Sequence, residues 1–235
     1  MKTLLAFVAA VMVVVPSAMA SSTTCPTTTY DQYLVSNFTC VSGNVMFSSF
    51  GYSGTGSPSG MVIPASGIAV TPQTMTLNEG FQFSSGWLVG TQPNGSSSFQ
   101  DSLISFTVST VNGATTLDDL TLFFNGNFTG TGLSGVAEQY CLGGTLQNCA
   151  QGHSGQIKVT NPPPGFNSAV FFQPTTTISV SKDINVTSGS AGTASISQVI
   201  NTFSQISQVP EPLSCLLMGS GLLGLGLCRK RAQRW

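Results

Sequence analysis

The chain has 235 residues, enough for one domain and short processing segments. Its net charge of −1 hides a segregation: between Ser21 and Gln208, two lysines (Lys158, Lys182) stand against seven acids (Asp31, Glu79, Asp101, Asp118, Asp119, Glu138, Asp183). A mildly acidic body without a basic patch excludes nucleic acid as a partner, because phosphate backbones require clustered Lys and Arg.

The first segment carries Lys2, then an uncharged apolar run from Leu4 to Val15, then Pro16 and the small residues Ala18 and Ala20. A positive start, a short apolar stretch and an Ala-x-Ala site predict a secretory signal peptide over 1–20, cut by signal peptidase between Ala20 and Ser21. The run is shorter than the ~20 residues that span a bilayer.

Cys25 and Cys40 follow, and Cys141 and Cys149 come later in the body. Four cysteines allow three connectivities. The local pairs Cys25–Cys40 and Cys141–Cys149 are favoured because short loops close at low entropic cost. An exported chain meets an oxidising environment. Without a CxxC and with one histidine, metal binding by these cysteines is disfavoured.

The body, 21–205, is dominated by period-two alternation. Ile104, Phe106 and Val108 alternate with hydroxyls, which predicts a strand with one buried face. Val45–Phe50, Met75–Leu77, Phe81–Phe83, Leu120–Phe123, Val136–Cys141, Ala169–Phe172 and Ile178–Val180 read the same way. The stretches GYSGTGSPSG, QPNGSSS, VNGATT, NGNFTGTG and NPPPG are expected to end strands. Ile196, Val199, Ile200 and Phe203 fall at helical spacing, but β-branched and hydroxylic residues around them favour a strand. The expected fold is all-β, a single β-sandwich of jelly-roll-like or similar form.

The last segment, 206–235, begins with Val209-Pro210-Glu211-Pro212. An uncharged stretch, 213–228, follows, and then Arg229, Lys230, Arg231 and Arg234 in the basic end, 229–235. The prolines bar regular structure before the stretch, and Pro212 suits the first turn of a helix. Basic residues just after an apolar helix hold that end in the cytoplasm. The two ends thus predict one topology, with the body outside, reached through a short C-terminal transmembrane helix.

This tail resembles the PEP-CTERM sorting signal of bacterial envelope proteins. Cys40–Phe50 with Tyr52-Ser53-Gly54-Thr55 resembles an N-terminal region recurring in such proteins, and Phe128–Gly132 followed by Val136, Glu138 and Cys141 is similarly familiar. The resemblance implies recognition by an exosortase, a membrane protease-transpeptidase. It also implies release or transfer of the body to the cell surface or extracellular space, often beside exopolysaccharide or biofilm. The same tail region carries a family label that mentions ice-binding proteins.

Catalytic constellations are sparse. His153 is the one histidine, so any Ser-His-Asp triad must use it, and no G-x-S-x-G elbow occurs. Asp118 or Asp119 with Asp101 or Glu138 could form a glycosidase pair, although neighbours on a strand point to opposite faces. Asp118, Asp119, Asn125 and Asn127 offer oxygen ligands for calcium without a recognised loop pattern. Phe81, Phe83 and Trp87, or Tyr30, Tyr33 and Tyr52, could stack on sugar, but alternation favours the core. The G-x-G-x-x-G at 219–224 lies in the apolar tail with no preceding strand, so it is not a nucleotide motif. No cofactor and no metal are expected. The reading is a non-catalytic surface or matrix protein, with a carbohydrate-binding module as the alternative. Ice binding through Thr27–Thr29 and Thr175–Thr177, and hydrolysis, rank below both.

Overall fold

A computed structural model describes residues 23–57, 61–75, 77–111, 115–162 and 165–207. The signal segment, Ala18, Ala20 and Ser21, the tail motif Val209–Pro212 and the basic cluster Arg229, Lys230, Arg231 and Arg234 lie outside the described residues.

The described chain is nearly all β. It starts with β1 (Thr28–Thr29) and one helical turn, α1 (Tyr30–Tyr33). Then come β2 (Cys40–Ser42), β3 (Val45–Gly56), β4 (Ala69–Met75), β5 (Asn78–Gly90) and β6 (Phe99–Thr110). The second half holds β7 (Thr115–Gly130), β8 (Leu133–Leu142), β9 (Ser154–Asn161), β10 (Asn167–Thr175), β11 (Thr177–Thr187) and β12 (Gly192–Ser207). Two six-stranded sheets result, ordered β1-β4-β5-β12-β7-β10 and β2-β3-β6-β11-β8-β9.

Strands β5, β6, β7 and β8 pair with β12, β11, β10 and β9 respectively, all antiparallel. This nested pairing is the wrapping order of a jelly roll. Alternation supplies the core. Ile104, Phe106, Val108, Val136, Val180, Ile184 and Val186 of one sheet meet Phe81, Phe83, Trp87, Leu120, Leu122, Phe124, Val199 and Phe203 of the other. Phe81, Phe83, Phe106 and Phe47 pack edge-on or tilted against one another. Such aromatic pairs add about 0.5–1.5 kcal/mol each beyond their burial.

Bulges explain two spacings that simple alternation does not. In β12 the register slips between Ile196 and Gln198, so Ile196 and Val199 both turn inward, while Asn201 and Phe203 resume period two. The helical spacing of this segment is therefore a bulged strand. In β3 the register slips between Ser48 and Gly51, with Ser49 at φ 55°, and both Phe47 and Phe50 pack on the core.

Three local expectations are corrected. GYSGTG continues β3 by pairing with β6, and NGNFTG continues β7 by pairing with β12, so a sheet neighbour on one side holds each segment in its strand. Gly126, for instance, sits where a Cβ would meet Ser195 O at 2.7 Å, so the absence of a side chain permits close pairing there. Met75 closes β4, and Leu77 lies at φ 60° in the turn before β5, so Met75–Leu77 is not a strand.

The disulfides Cys25–Cys40 and Cys141–Cys149 close loops of 15 and 8 residues. Among the described residues, no helix is long and apolar enough to cross a membrane.

Candidate functional site

The outer face of the sheet β2-β3-β6-β11-β8-β9 carries an open groove. Along β8, Val136 and Glu138 turn inward, so Gly135 and Ala137 face out. Register sets Ala137 opposite both Lys158 of β9 and Asp183 of β11, and Gly135 opposite both Thr160 and Asn185. Two small residues between longer ones make a trough. Its floor is β8, its walls are Lys158 and Thr160 on one side and Asp183, Asn185 and Thr187 on the other. The groove measures about 480 Å³, and Leu133 and Pro162 lie at one end.

Asp101 of β6 adds a second carboxylate. It stands opposite Asn185 and so lies diagonal to Asp183. Partial burial, reinforced by the neighbouring Asp101, pushes Asp183 up to about 6, and Lys158 across the groove opposes the shift. The lining offers one carboxylate acceptor, an amide, hydroxyls and an ammonium donor, and no aromatic ring.

The other sequence candidates lie elsewhere. Phe81, Phe83, Trp87, Tyr30 and Tyr33 are buried in the core. Tyr52 is half-buried, its hydroxyl bonded to Ile63 O and Ser102 Oγ. These aromatics are core and form no exposed platform. Glu138 is fully buried on the inner face, paired with Lys182, and cannot act with Asp101. Asp119 accepts the backbone N–H of Ser204 at 3.2 Å, inside the β12 irregularity between Thr202 and Gln205. Asn125 is six residues further along the same strand, roughly 20 Å away, so the two cannot share one calcium ion. Desolvation and the neighbouring Asp119 raise the Asp118 carboxyl. Among the described residues, no group of three or more His, Cys, Asp or Glu could hold a metal. His153 is exposed in the loop before β9, where its carbonyl accepts the N–H of Leu142. Thr28 and Thr29 sit in β1 of one sheet and Thr177 in β11 of the other, so the two Thr runs do not form one flat array.

Sequence reasoning missed Lys158 and Asp183 as groove walls. Only the strand register brings residues 25 apart in sequence to the two sides of Ala137. The available signal was the pair of small residues, Gly135 and Ala137, at outward positions of an alternating strand.

No protein-family profile matches the chain, and no curated protein matches it. Among solved structures it has a likeness to a crystal structure of the tailspike protein 4 enzymatically active domain of bacteriophage CBA120. The identity is 16%, the TM-score 0.28, and the match covers 66% of this chain and 19% of that one. A likeness this shallow assigns neither fold nor activity.

Proposed function

We propose that this chain is an exported, non-catalytic envelope or matrix protein whose sandwich holds an extended polysaccharide in the groove over Gly135 and Ala137. The observation that carries the ligand reading is the groove itself: an open trough along a strand, with hydrogen-bonding groups on both walls and a flat floor. A polyhydroxylated chain lying along β8 would meet Lys158 and Thr160 on one side and Asp183 and Asn185 on the other. The lack of aromatic lining suits edge-on hydrogen bonding rather than ring stacking.

The non-catalytic part rests on carboxylate placement. Glycosidases hold two acids about 5–9.5 Å apart, flanking the scissile bond. Asp101 and Asp183 instead stand on the same side of the groove floor, on adjacent strands, and Glu138 faces the opposite side of the sheet. The export part rests on the sequence ends. Signal peptidase is expected to cut after Ala20. An exosortase-type enzyme is expected to act on the membrane-anchored chain at Val209–Pro212, leaving the body at the cell surface or outside. The two disulfides fit an oxidising compartment.

The test is binding of the full-length protein to a glycan array and to exopolysaccharide purified from the producing cells, with and without calcium. Retention that Ala137→Leu abolishes supports the groove. No bound glycan in either condition would contradict it.

A further inference from the structure

Lys182 occupies the centre of the sandwich, fully buried with Glu138 and Asn201. Its Nζ lies 3.1 Å from Glu138 Oε2 and donates to Asn201 Oδ1 at 2.9 Å. The Phe83 and Phe106 rings stand 5.8 and 5.1 Å from the same nitrogen. Asn201 Nδ2 is tied to Thr121 O at 3.1 Å, which fixes the amide plane. Lys182 and Glu138 are cross-strand partners in one sheet, and Asn201 comes from β12 of the other. An amine, an amide and a carboxyl thus converge in a buried, aromatic-walled site.

The amide carbon is within reach of the amine. With Oδ1 at 2.9 Å and a C=O bond of about 1.2 Å, Asn201 Cγ lies no further than about 4 Å from Nζ. Near-attack geometry needs about 3–3.5 Å, so a small rotation of either side chain suffices.

We propose that Lys182 and Asn201 join through an amide bond that the folded protein makes itself, with Glu138 as the proton carrier. The Nζ lone pair attacks Asn201 Cγ and forms the new C–N bond. Glu138 donates its proton toward the developing oxyanion and takes one from Nζ. The tetrahedral carbon then re-forms its C=O, returning the hydroxyl proton to Glu138, and expels Nδ2, which leaves as ammonia with the proton that Nζ gave up, so Glu138 ends protonated as it began. One C–N bond forms, one breaks, and nothing is oxidised or reduced.

Desolvation supports the starting state. Burial pushes the Lys182 ammonium down and the Glu138 carboxyl up, each opposed by the partner's charge. A neutral amine beside a carboxylic acid is the form that low dielectric favours, and it is also the nucleophile and acid that the reaction needs. Holding both groups in place replaces a bimolecular encounter, an advantage of up to about 10⁵–10⁸ M in effective concentration. The product would tie β11 to β12 across the two sheets, a covalent brace for a protein exposed to proteases outside the cell.

The experiment is mass analysis of the full-length protein after reduction of its disulfides. Cleavage on the N-terminal side of Asp183 separates Lys182 from Asn201 along the chain. The proposal predicts that the two fragments stay joined, about 17 Da below their summed mass because ammonia is lost. Glu138→Gln and Lys182→Met are expected to yield separate fragments of full mass. Should either variant fail to fold, the wild-type result still decides. Separate wild-type fragments at full mass from folded protein overturn the proposal and leave a plain buried ion pair. A folded Glu138→Gln protein that still crosslinks overturns the role of Glu138.

Discussion

Lys158 and Asp183 stand on opposite sides of Ala137, each in direct register with it across a strand, so the small residue separates a cation from an anion over an open groove. The charge of Asp183 is the titratable part of that arrangement. Its folded value of about 6 exceeds the ordinary carboxylate value of 3.8, with partial burial as the main cause and Asp101 next. The native state therefore binds more protons than the unfolded chain between those values. Its contribution to stability is complete below about pH 4 and is lost as the pH rises through 6. Glu79 and Asp118 are raised too, chiefly by desolvation, and act in the same direction. Denaturant unfolding at pH 4 and pH 7 is expected to show the wild type weakening with pH, and Asp183→Asn losing part of that slope. An unchanged slope in the variant would contradict the raised Asp183 carboxyl.

Filling the groove should separate binding from folding. Ala137 faces outward, so Ala137→Leu is expected to leave the melting temperature within a few degrees. Polysaccharide affinity is expected to fall at least tenfold, about 1.4 kcal/mol. Equal affinity in the two proteins would place the ligand elsewhere.

The buried pair predicts an asymmetric response to mutation. Glu138→Ala leaves the Lys182 amine, uncrosslinked in this variant, without a polar partner from β8 in the core, at a cost of roughly 3–5 kcal/mol if it is to carry its charge there. Replacing both, with Glu138→Leu and Lys182→Met, should recover part of that loss, since apolar groups of similar volume need no partner. Urea midpoints of the three proteins measure it. A double variant weaker than the single one would contradict the ledger of charge burial.

The disulfides should differ in weight. Loop-closure entropy gives about 3 kcal/mol for the 15-residue loop and about 2.5 kcal/mol for the 8-residue loop. Replacing Cys25 and Cys40 together by Ala is thus expected to lower the unfolding midpoint more than replacing Cys141 and Cys149. The reverse order would point to native-state packing around Cys141 as the larger effect.

The alternation of Ile104, Phe106 and Val108 made the sandwich legible, because one buried face imposes period two. The bulges at Ser49 and after Ile196 were not legible: a one-residue insertion mimics helical spacing, and only the neighbouring strand reveals it. Glycines misled in Asn125-Gly126-Asn127, where pairing with β12 overrides turn preference. Lys182 was hidden for a different reason. Lysine is read as exposed by default, and its burial depends on Glu138 and Asn201, which lie 44 positions before and 19 positions after it. The groove was equally hidden, since its walls come from separate strands.

The most direct test of the account is the intact mass of the protein recovered from producing cells, compared between membrane and external fractions. Exosortase-type processing gives an external species that begins at Ser21 and ends between Val209 and Pro212. A species that keeps Arg229 to Trp235 and stays in the membrane would contradict exosortase-type processing and leave a singly anchored β-sandwich.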